Sequence, residues 1–385
     1  MHIQHARTRS GPLVAISLAL ASLCSSAAGQ DEASQAAVPE TARSRSEAVD
    51  AGLRWLAAHQ ASNGSWDVDE FMHSKHDAAP ACDCTGPGTA SQDVGVTGLC
   101  LLAFLGQKGA LEDGLYQQNI TEAARWLQAQ QDQGTGLIGQ PKGSHFAYDH
   151  GIASLALAEY QSASGKANLL DALERSSDYI LKARNAYGAW RYDIPALGEN
   201  DTSVTGWMVF ALKAAEHCGI EIDNDAYVGA LSWLDSVTDP ETARVGYDAP
   251  GSISARVKGI NDHYPADSGE AMTAIGILCR FVMGQYPRKK ALLERHARLL
   301  LRALPVWDPE DLGCDMYYWY FGSHAMALIG GQDWERWQAA IRPALVDAQQ
   351  IEGHQAGSWD PLGPWGYSGG RAYATALMVL SLEVE

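Results

Sequence analysis

Basic residues are scarce in this chain of 385: 28 Lys and Arg stand against 46 Asp and Glu, a formal charge of −18. Nucleic acid and anionic membrane surfaces both need a basic face, so neither is expected as a partner. Long apolar runs are missing as well. The run Leu13 to Leu23 falls short of the about 20 residues that span a bilayer, and no later stretch is apolar enough to form a membrane helix. Cysteine is sparse at seven, a number that permits disulfides without demanding them in a chain of this size. No phosphate loop, HExxH pair or dinucleotide fingerprint occurs, so no cofactor is expected. No segment alternates with period two between hairpin turns, which argues against a sheet. What the chain has is apolar and aromatic residues, 46% and 9%, enough to exclude disorder.

The amino terminus reads as an address. Arg7 and Arg9 precede the apolar run, and the small residues Cys24 to Gly29 follow it, the order of a secretory signal peptide over residues 1–29. The expectation is a secreted or periplasmic protein with a flexible leader at 30–45 and one domain over 46–385.

Internal repetition dominates the rest. An amphipathic helix ending in Trp-Leu or a similar pair, with a polar residue five positions on, recurs as Trp55-Leu56 with Gln60, Trp126-Leu127 with Gln131, and Tyr179-Ile180 with Arg184. Weaker copies are Trp233-Leu234, Leu299-Leu300 and Leu345-Val346 with Gln350. Each is followed by a loop rich in Gly, Pro and Trp and then a second, more uniformly apolar helix: Val94–Leu105, Ile152–Tyr160, Val204–Ala215, Ala271–Met283, Met316–Ile329 and Ala372–Leu382. A helix apolar on all sides is normally buried, and one with a charged face lies outside. Six such hairpins predict an all-α protein, an α/α toroid with an inner and an outer ring. An open solenoid would carry polar terminal repeats, and the last helix is as apolar as any other.

Gln60-Ala-Ser-Asn-Gly64-Ser-Trp66 matches the Q-x3-G-x-W repeat, Arg184 to Trp190 is a second copy, and a degenerate third ends at Gly357-Ser-Trp359. On these residues the chain, over about 46–385, resembles the squalene–hopene cyclases and the wider prenyltransferase/squalene-cyclase repeat group. The resemblance implies a central cavity holding a small apolar molecule or lipid of isoprenoid type. The cyclases carry an Asp-x-Asp-Asp-Thr box whose central acid protonates the polyene. The corresponding stretch here reads Gly198-Glu199-Asn200-Asp201-Thr202. Asn200 has no proton of useful acidity, so it cannot start a cyclisation by general acid catalysis. The zinc set of the prenyltransferases also lacks its Cys and His equivalents around Asp315 and Tyr373.

Asp93, Asp149, Asp201 and Asp315 each stand at the start of an inner helix. N-capping is one role for them. In a toroid these starts share one rim, where paired acids of different pKa could do acid–base work; the four are the candidate catalytic residues. Beside them, Trp190, Tyr192, Asn200, His150, Tyr318, Trp319, Trp365, Arg371 and Tyr373 are candidate ligand contacts, with Asp315, Tyr318 and Trp319 sharing a helix face. His73, His76, Cys82 and Cys84 place four metal-ligating groups within twelve residues, at a spacing that is uncommon for structural zinc; a disulfide from Cys82 to a distant cysteine such as Cys314 is the alternative. Gly366-Tyr-Ser368-Gly-Gly370 spells a hydrolase nucleophile elbow but lacks the strand that the elbow needs. Export, the acid rim and abundant Trp and Tyr also suit a carbohydrate-active toroid, lyase or hydrolase. A non-catalytic scaffold that binds a protein on its outer face is the third reading.

Overall fold

The computed structural model describes residues 43–73, 82–107, 109–112, 114–143, 145–165, 167–185, 188–192, 199–286, 288–310 and 312–385. Residues 1–42, and with them the expected signal peptide and most of the leader, lie outside the described residues. So do His76, Gly198 and the side chain of His73.

Twelve α-helices occur among the described residues: α1 Arg45–Ala58, α2 Asp93–Leu105, α3 Gln117–Ala129, α4 Phe146–Ser164, α5 Leu170–Ala183, α6 Thr202–His217, α7 Asn224–Val237, α8 Ala271–Val282, α9 Lys290–Leu300, α10 Met316–Ile329, α11 Gly331–Ala348 and α12 Gly366–Glu383. Strand pairing among the described residues is limited to two isolated bridges, Gln131 to Ile138 and Thr238 to Val245. The odd helices are amphipathic; α5 buries Ala172, Leu173, Ser176, Ile180 and Ala183 at helical spacing and leaves its charges outside. The even helices are buried almost throughout. Each even helix packs on the next, and α12 returns to α2 and α1. The ring therefore closes, as the apolar last helix implies. Two inner helices start earlier than their apolar runs suggest, α4 at Phe146 and α12 at Gly366. The toroid opens on a capping box, in which Ser44 accepts from the Glu47 N–H and Glu47 reaches back to the Ser44 N–H.

Small residues let the inner helices touch. A Cβ on Gly206 of α6 would lie 2.5 Å from the Ile275 side chain of α8, closer than packed carbon atoms tolerate.

The Gln–Gly–Trp motif works as a staple. Gln60 Nε2 donates to the Gly64 carbonyl of its own loop and to the Asn119 carbonyl of the next outer helix. Gln131 does the same to Gly136 and Ala172. Gln349 does it to Gly357 and to Ala48 of α1, and so clips the last hairpin to the first. The polar residue of the sixth copy is thus Gln349 and not Gln350, because Leu345 takes the place of Leu56 and Ile180, the second member of the pair, as the indole contacts show. Trp66, Trp190 and Trp359 fold back over the helix they follow, their indole N–H groups donating to the Leu56, Ile180 and Leu345 carbonyls.

One further contact recurs. In five of the six repeats the backbone N–H at the Trp position, or at its equivalent, donates to a side chain of the following inner helix. The acceptor is Thr97 for Trp66, Thr205 for Trp190, Thr273 for Val245 and Thr375 for Trp359. In the second repeat the acceptor is His150 Nδ1, for Ile138.

Candidate functional site

The even helices begin on one rim, and five of the six beginnings carry an acid. Asp201 and Asp315 are true N-caps, accepting from the N–H groups of Val204 and Tyr318. Glu270, the N-cap residue of α8, bonds Thr273 Oγ1 at 2.8 Å and Arg244 at 2.6 Å. Asp93 and Asp149 lie inside the first turn of their helices and do not cap them. Asp93 Oδ1 accepts from the Val68 N–H, and Asp149 Oδ1 accepts from the Gly95 N–H of α2. Asp149 thereby satisfies the start of the neighbouring helix.

The rim divides electrostatically. Glu270 and Asp315 face Arg244 and Arg256. Asp93 and Asp149 have no basic partner within salt-bridge reach among the described residues. Burial raises both to about 7, against the pull of their backbone N–H donors and with the push of neighbouring acids, Asp67 and Asp69 on Asp93 and Asp93 on Asp149. Carboxylate oxygens of Asp67, Asp69 and Asp93 lie within 4.8 Å of one another.

Asp201 occupies a third environment. Its Oδ1 accepts from Val204 N–H at 2.7 Å and its Oδ2 from the Tyr247 hydroxyl at 3.3 Å. The Tyr247 hydroxyl also meets that of Tyr192 at 2.5 Å, and the Tyr192 ring lies 6.1 Å from that of Tyr148. Opposite, the Tyr317 hydroxyl bonds Ser203 at 2.6 Å and accepts from the Trp207 indole at 3.2 Å. Burial lifts Asp201 to about 6, while Val204 N–H, Arg191 and the two tyrosines hold it from rising further. The Asp201 charge is felt at Tyr148 and Tyr317, and Tyr373 feels Tyr317. Four tyrosines from α4, α10 and two loops thus converge around one carboxylate, and Tyr373 of α12 joins them beside Tyr317. Tyr148, Tyr192, Tyr317 and Tyr373 are each only half-buried, which makes them the lining of a bowl at the rim.

Of the candidate ligand contacts, Tyr192 and Tyr373 belong to this bowl, and Trp365 is half-buried at the start of α12. The others sit elsewhere. Trp190 is the staple of the third loop. His150 is fully buried, accepts from Ile138 and pairs its other nitrogen with the Ser176 carbonyl at 3.2 Å; burial lowers it to about 4, so it stays neutral. Tyr318 and Trp319 point into the wall, where Tyr318 donates to the Leu300 carbonyl and stands edge-on to Trp337. The face of α10 that meets the bowl is that of Tyr317, one residue from the expected one. Arg371 is buried against Thr85, Ser358 and Asp360 and anchors a loop. Asn200 pairs with Asn185 and lines a side cleft of about 530 Å³ with Arg191, Glu199, Trp233 and Asp248.

Of the four expected metal ligands, only Cys82 and Cys84 have described side chains. Both sulfurs approach His59 Nε2. Neither is disulfide-bonded, and Cys314 is likewise a buried free thiol. The sequence flagged the two cysteines; His59 was missed because it lies on α1's end, over twenty residues away. The Ser368 segment forms the first turn of α12 after a loop, so no elbow exists there.

Solved structures share this fold at low identity. The type II terpene cyclase MstE from Scytonema matches with a TM-score of 0.58 and 14% identity, over 88% of this chain and 97% of that one. An inactive variant of an α-1,6-mannanase from Salegentibacter in complex with α-1,6-mannotriose matches with 0.58 and 10%, over 89% and 98%. A novel α-amylase from Clostridium perfringens matches with 0.56 and 11%, over 90% and 99%. The chain is therefore an all-α toroid related in fold to terpene-cyclase-type and to glycoside-hydrolase-type structures alike. No family model matches it, and no curated protein does.

Proposed function

We propose that this toroid, exported through its amino-terminal signal, takes an apolar ligand of isoprenoid type into the tyrosine bowl. The observation that carries the reading is the convergence of Tyr148, Tyr192, Tyr247 and Tyr317 around Asp201, with Tyr373 beside Tyr317. Ring faces supply apolar area, and their electron-rich faces with a carboxylate between them favour positive charge in the bound molecule. Asp201 acts there as a fixed anion. Donors hold both of its oxygens, and hydrogen bonds of that kind favour the ionised form. With an amide at Asn200 the box lacks the acid that starts cyclisation in the cyclases, so binding, not protonation, is the proposed role. The fold likeness to MstE supports the reading at the level of architecture.

Titration with a geranylgeranyl alcohol probe, followed by quenching of Trp207 fluorescence, tests it. Saturable binding is expected, weakened about tenfold in Tyr317→Ala and unchanged in the outer-face variant Arg298→Ala. No saturable quenching, together with native mass spectra free of lipid adducts, overturns the proposal.

A second reading rests on Asp93 and Asp149, two neighbouring acids poised near neutrality without a basic partner, which suits glycoside chemistry. New reducing ends or unsaturated products from a polysaccharide panel, lost in Asp149→Ala, would establish it; silence across the panel removes it.

A further inference from the structure

Away from the bowl, three metal-ligating groups meet where the ring closes. His59 ends α1, and its Nδ1 sits 2.7 Å from the Trp55 carbonyl. A carbonyl only accepts, so Nδ1 carries the proton and Nε2 presents its lone pair, the arrangement that orients a ligating imidazole. The ring is stacked on Trp55 at 4.1 Å and flanked edge-on by Phe71 at 5.8 Å, which fixes its plane. Cys82 and Cys84 stand two apart in the loop between α1 and α2, and both side chains turn to the same imidazole. Their sulfurs lie 3.5 and 3.6 Å from Nε2, and all three donor atoms are within 4.8 Å of one another.

We propose that His59 Nε2, Cys82 Sγ and Cys84 Sγ form a binding site for a zinc-type divalent cation that clamps the seam between the first and last hairpins. Zinc bonds of about 2.3 Å to sulfur and about 2.0–2.1 Å to nitrogen, at a tetrahedral angle, separate the two atoms by about 3.6 Å. The observed separations are those of a tetrahedral site with one position left for water or another donor. Charge balances: each thiol gives its proton to solvent, and two thiolates neutralise the dication. Without a cation Cys84 keeps its proton, since burial and then the adjacent Cys82 push it up to about 12; ionisation on metal binding is the ordinary coupling.

The surroundings make the site a seam device. The Trp55 indole donates to the His354 carbonyl of the α11–α12 loop at 3.0 Å, and the Asp83 N–H reaches His354 Nδ1 at 3.3 Å. Next to Cys84, Thr85 takes the Arg371 guanidinium of α12 on its carbonyl at 2.6 Å. A cation at His59, Cys82 and Cys84 would tie α1 to the segment that already holds α12. This inference is independent of the bowl's ligand.

The test uses the full chain purified without chelator, with metal measured per polypeptide. About one zinc per chain is expected, falling about tenfold or more in Cys84→Ser and in His59→Gln and unchanged in Cys218→Ser. Because a seam variant could fail to fold, reduced wild-type protein is also stripped and titrated with cobalt. A thiolate-to-cobalt charge-transfer band with tetrahedral d–d intensity is expected, together with a higher melting temperature in zinc than after stripping. Cobalt binding without the charge-transfer band, unchanged zinc content in Cys84→Ser, or a Cys82–Cys84 disulfide in the purified chain would each overturn the proposal.

Discussion

The two sides of the rim solve the same problem differently. Around α8 and α10 the helix-start acids are matched, Glu270 by Arg244 and Asp315 by Arg256. Around α2 and α4 they are not, and burial raises Asp93 and Asp149 to about 7 with no cation to oppose it; burial raises Asp315 too, but there Arg256 pulls the other way. All four stand at inner-helix starts, but not in one register: Glu270 and Asp315 are N-cap residues, whereas Asp93 and Asp149 lie within the first turn. Both arginines come from the loop between α7 and α8, while the loop before α2 brings Asp67 and Asp69 close to Asp93 and the loop before α4 contains no arginine. The matched side is structural; the unmatched side stores acidity.

Removing a cation from the matched side should do the most damage. Arg244→Ala leaves Glu270 buried and unpaired, and a loss of about 3 kcal/mol is expected, the lower end for a broken buried pair because Arg244 is partly exposed. Asp149→Asn, which keeps the oxygen that Gly95 needs, should be neutral or stabilising at pH 8. Urea unfolding of both variants decides; equal losses would erase the distinction.

The pH dependence separates the sides next. Asp149 ionises near 7 in the fold and near about 4 unfolded, so across that window the folded state holds the extra proton and stability falls as pH rises. His150, His296 and His324 are lowered by burial to about 4, from about 6.5 unfolded, and their contribution is lost as pH falls. Asp93, Asp201 and Glu383, raised by burial to about 7, 6 and 8, act in the same sense as Asp149, and these four acids against three histidines should leave the wild-type melting temperature nearly level from pH 4.5 to 6.5. In Asp149→Asn stability should climb with pH, by up to about 1.4 kcal/mol per unit relative to wild type. A parallel pair of profiles would show that Asp149 is not raised.

The smallest effect is expected from the threonines. Thr97→Val loses the bond to the Trp66 N–H, about 1 kcal/mol. Thr273→Val loses the bond from Val245 and also withdraws a donor from Glu270, so it should cost more. Thermal unfolding of the two side by side checks the order.

The architecture was readable because it repeats. The apolar inner helices, the Gln and Trp staples and closure follow from a pattern written six times, and the slip of Gln350 for Gln349 falls where a Leu-Val pair hides which residue corresponds to Trp. The threonine acceptors were equally visible, one per inner helix in four repeats, yet a lone Thr in an apolar helix carries no mark of its partner until the loop is in place. The bowl was harder. Tyr192 and Tyr373 were flagged among residues that turned out to be wall or staple, and Tyr148, Tyr247 and Tyr317 were not singled out, because a helix start does not reveal which of two adjacent aromatics faces inward. Tyr317 and Tyr318 differ by one residue and by the whole depth of the wall. His59 could not be tied to Cys82 and Cys84 from spacing, since only the closing of the ring brings α1's end against that segment.

Arg45 reaches across to the last helix, bonding the Leu382 and Val384 carbonyls and pairing with Glu385 at 2.8 Å. The two ends of the toroid are thus neighbours, held by the same kinds of contact that join any hairpin to the next. A covalent link between them, with a new break in another outer connection, would leave every inner-helix neighbour where it is: the order of the hairpins is a cycle, and its starting point is a matter of where synthesis happens to begin.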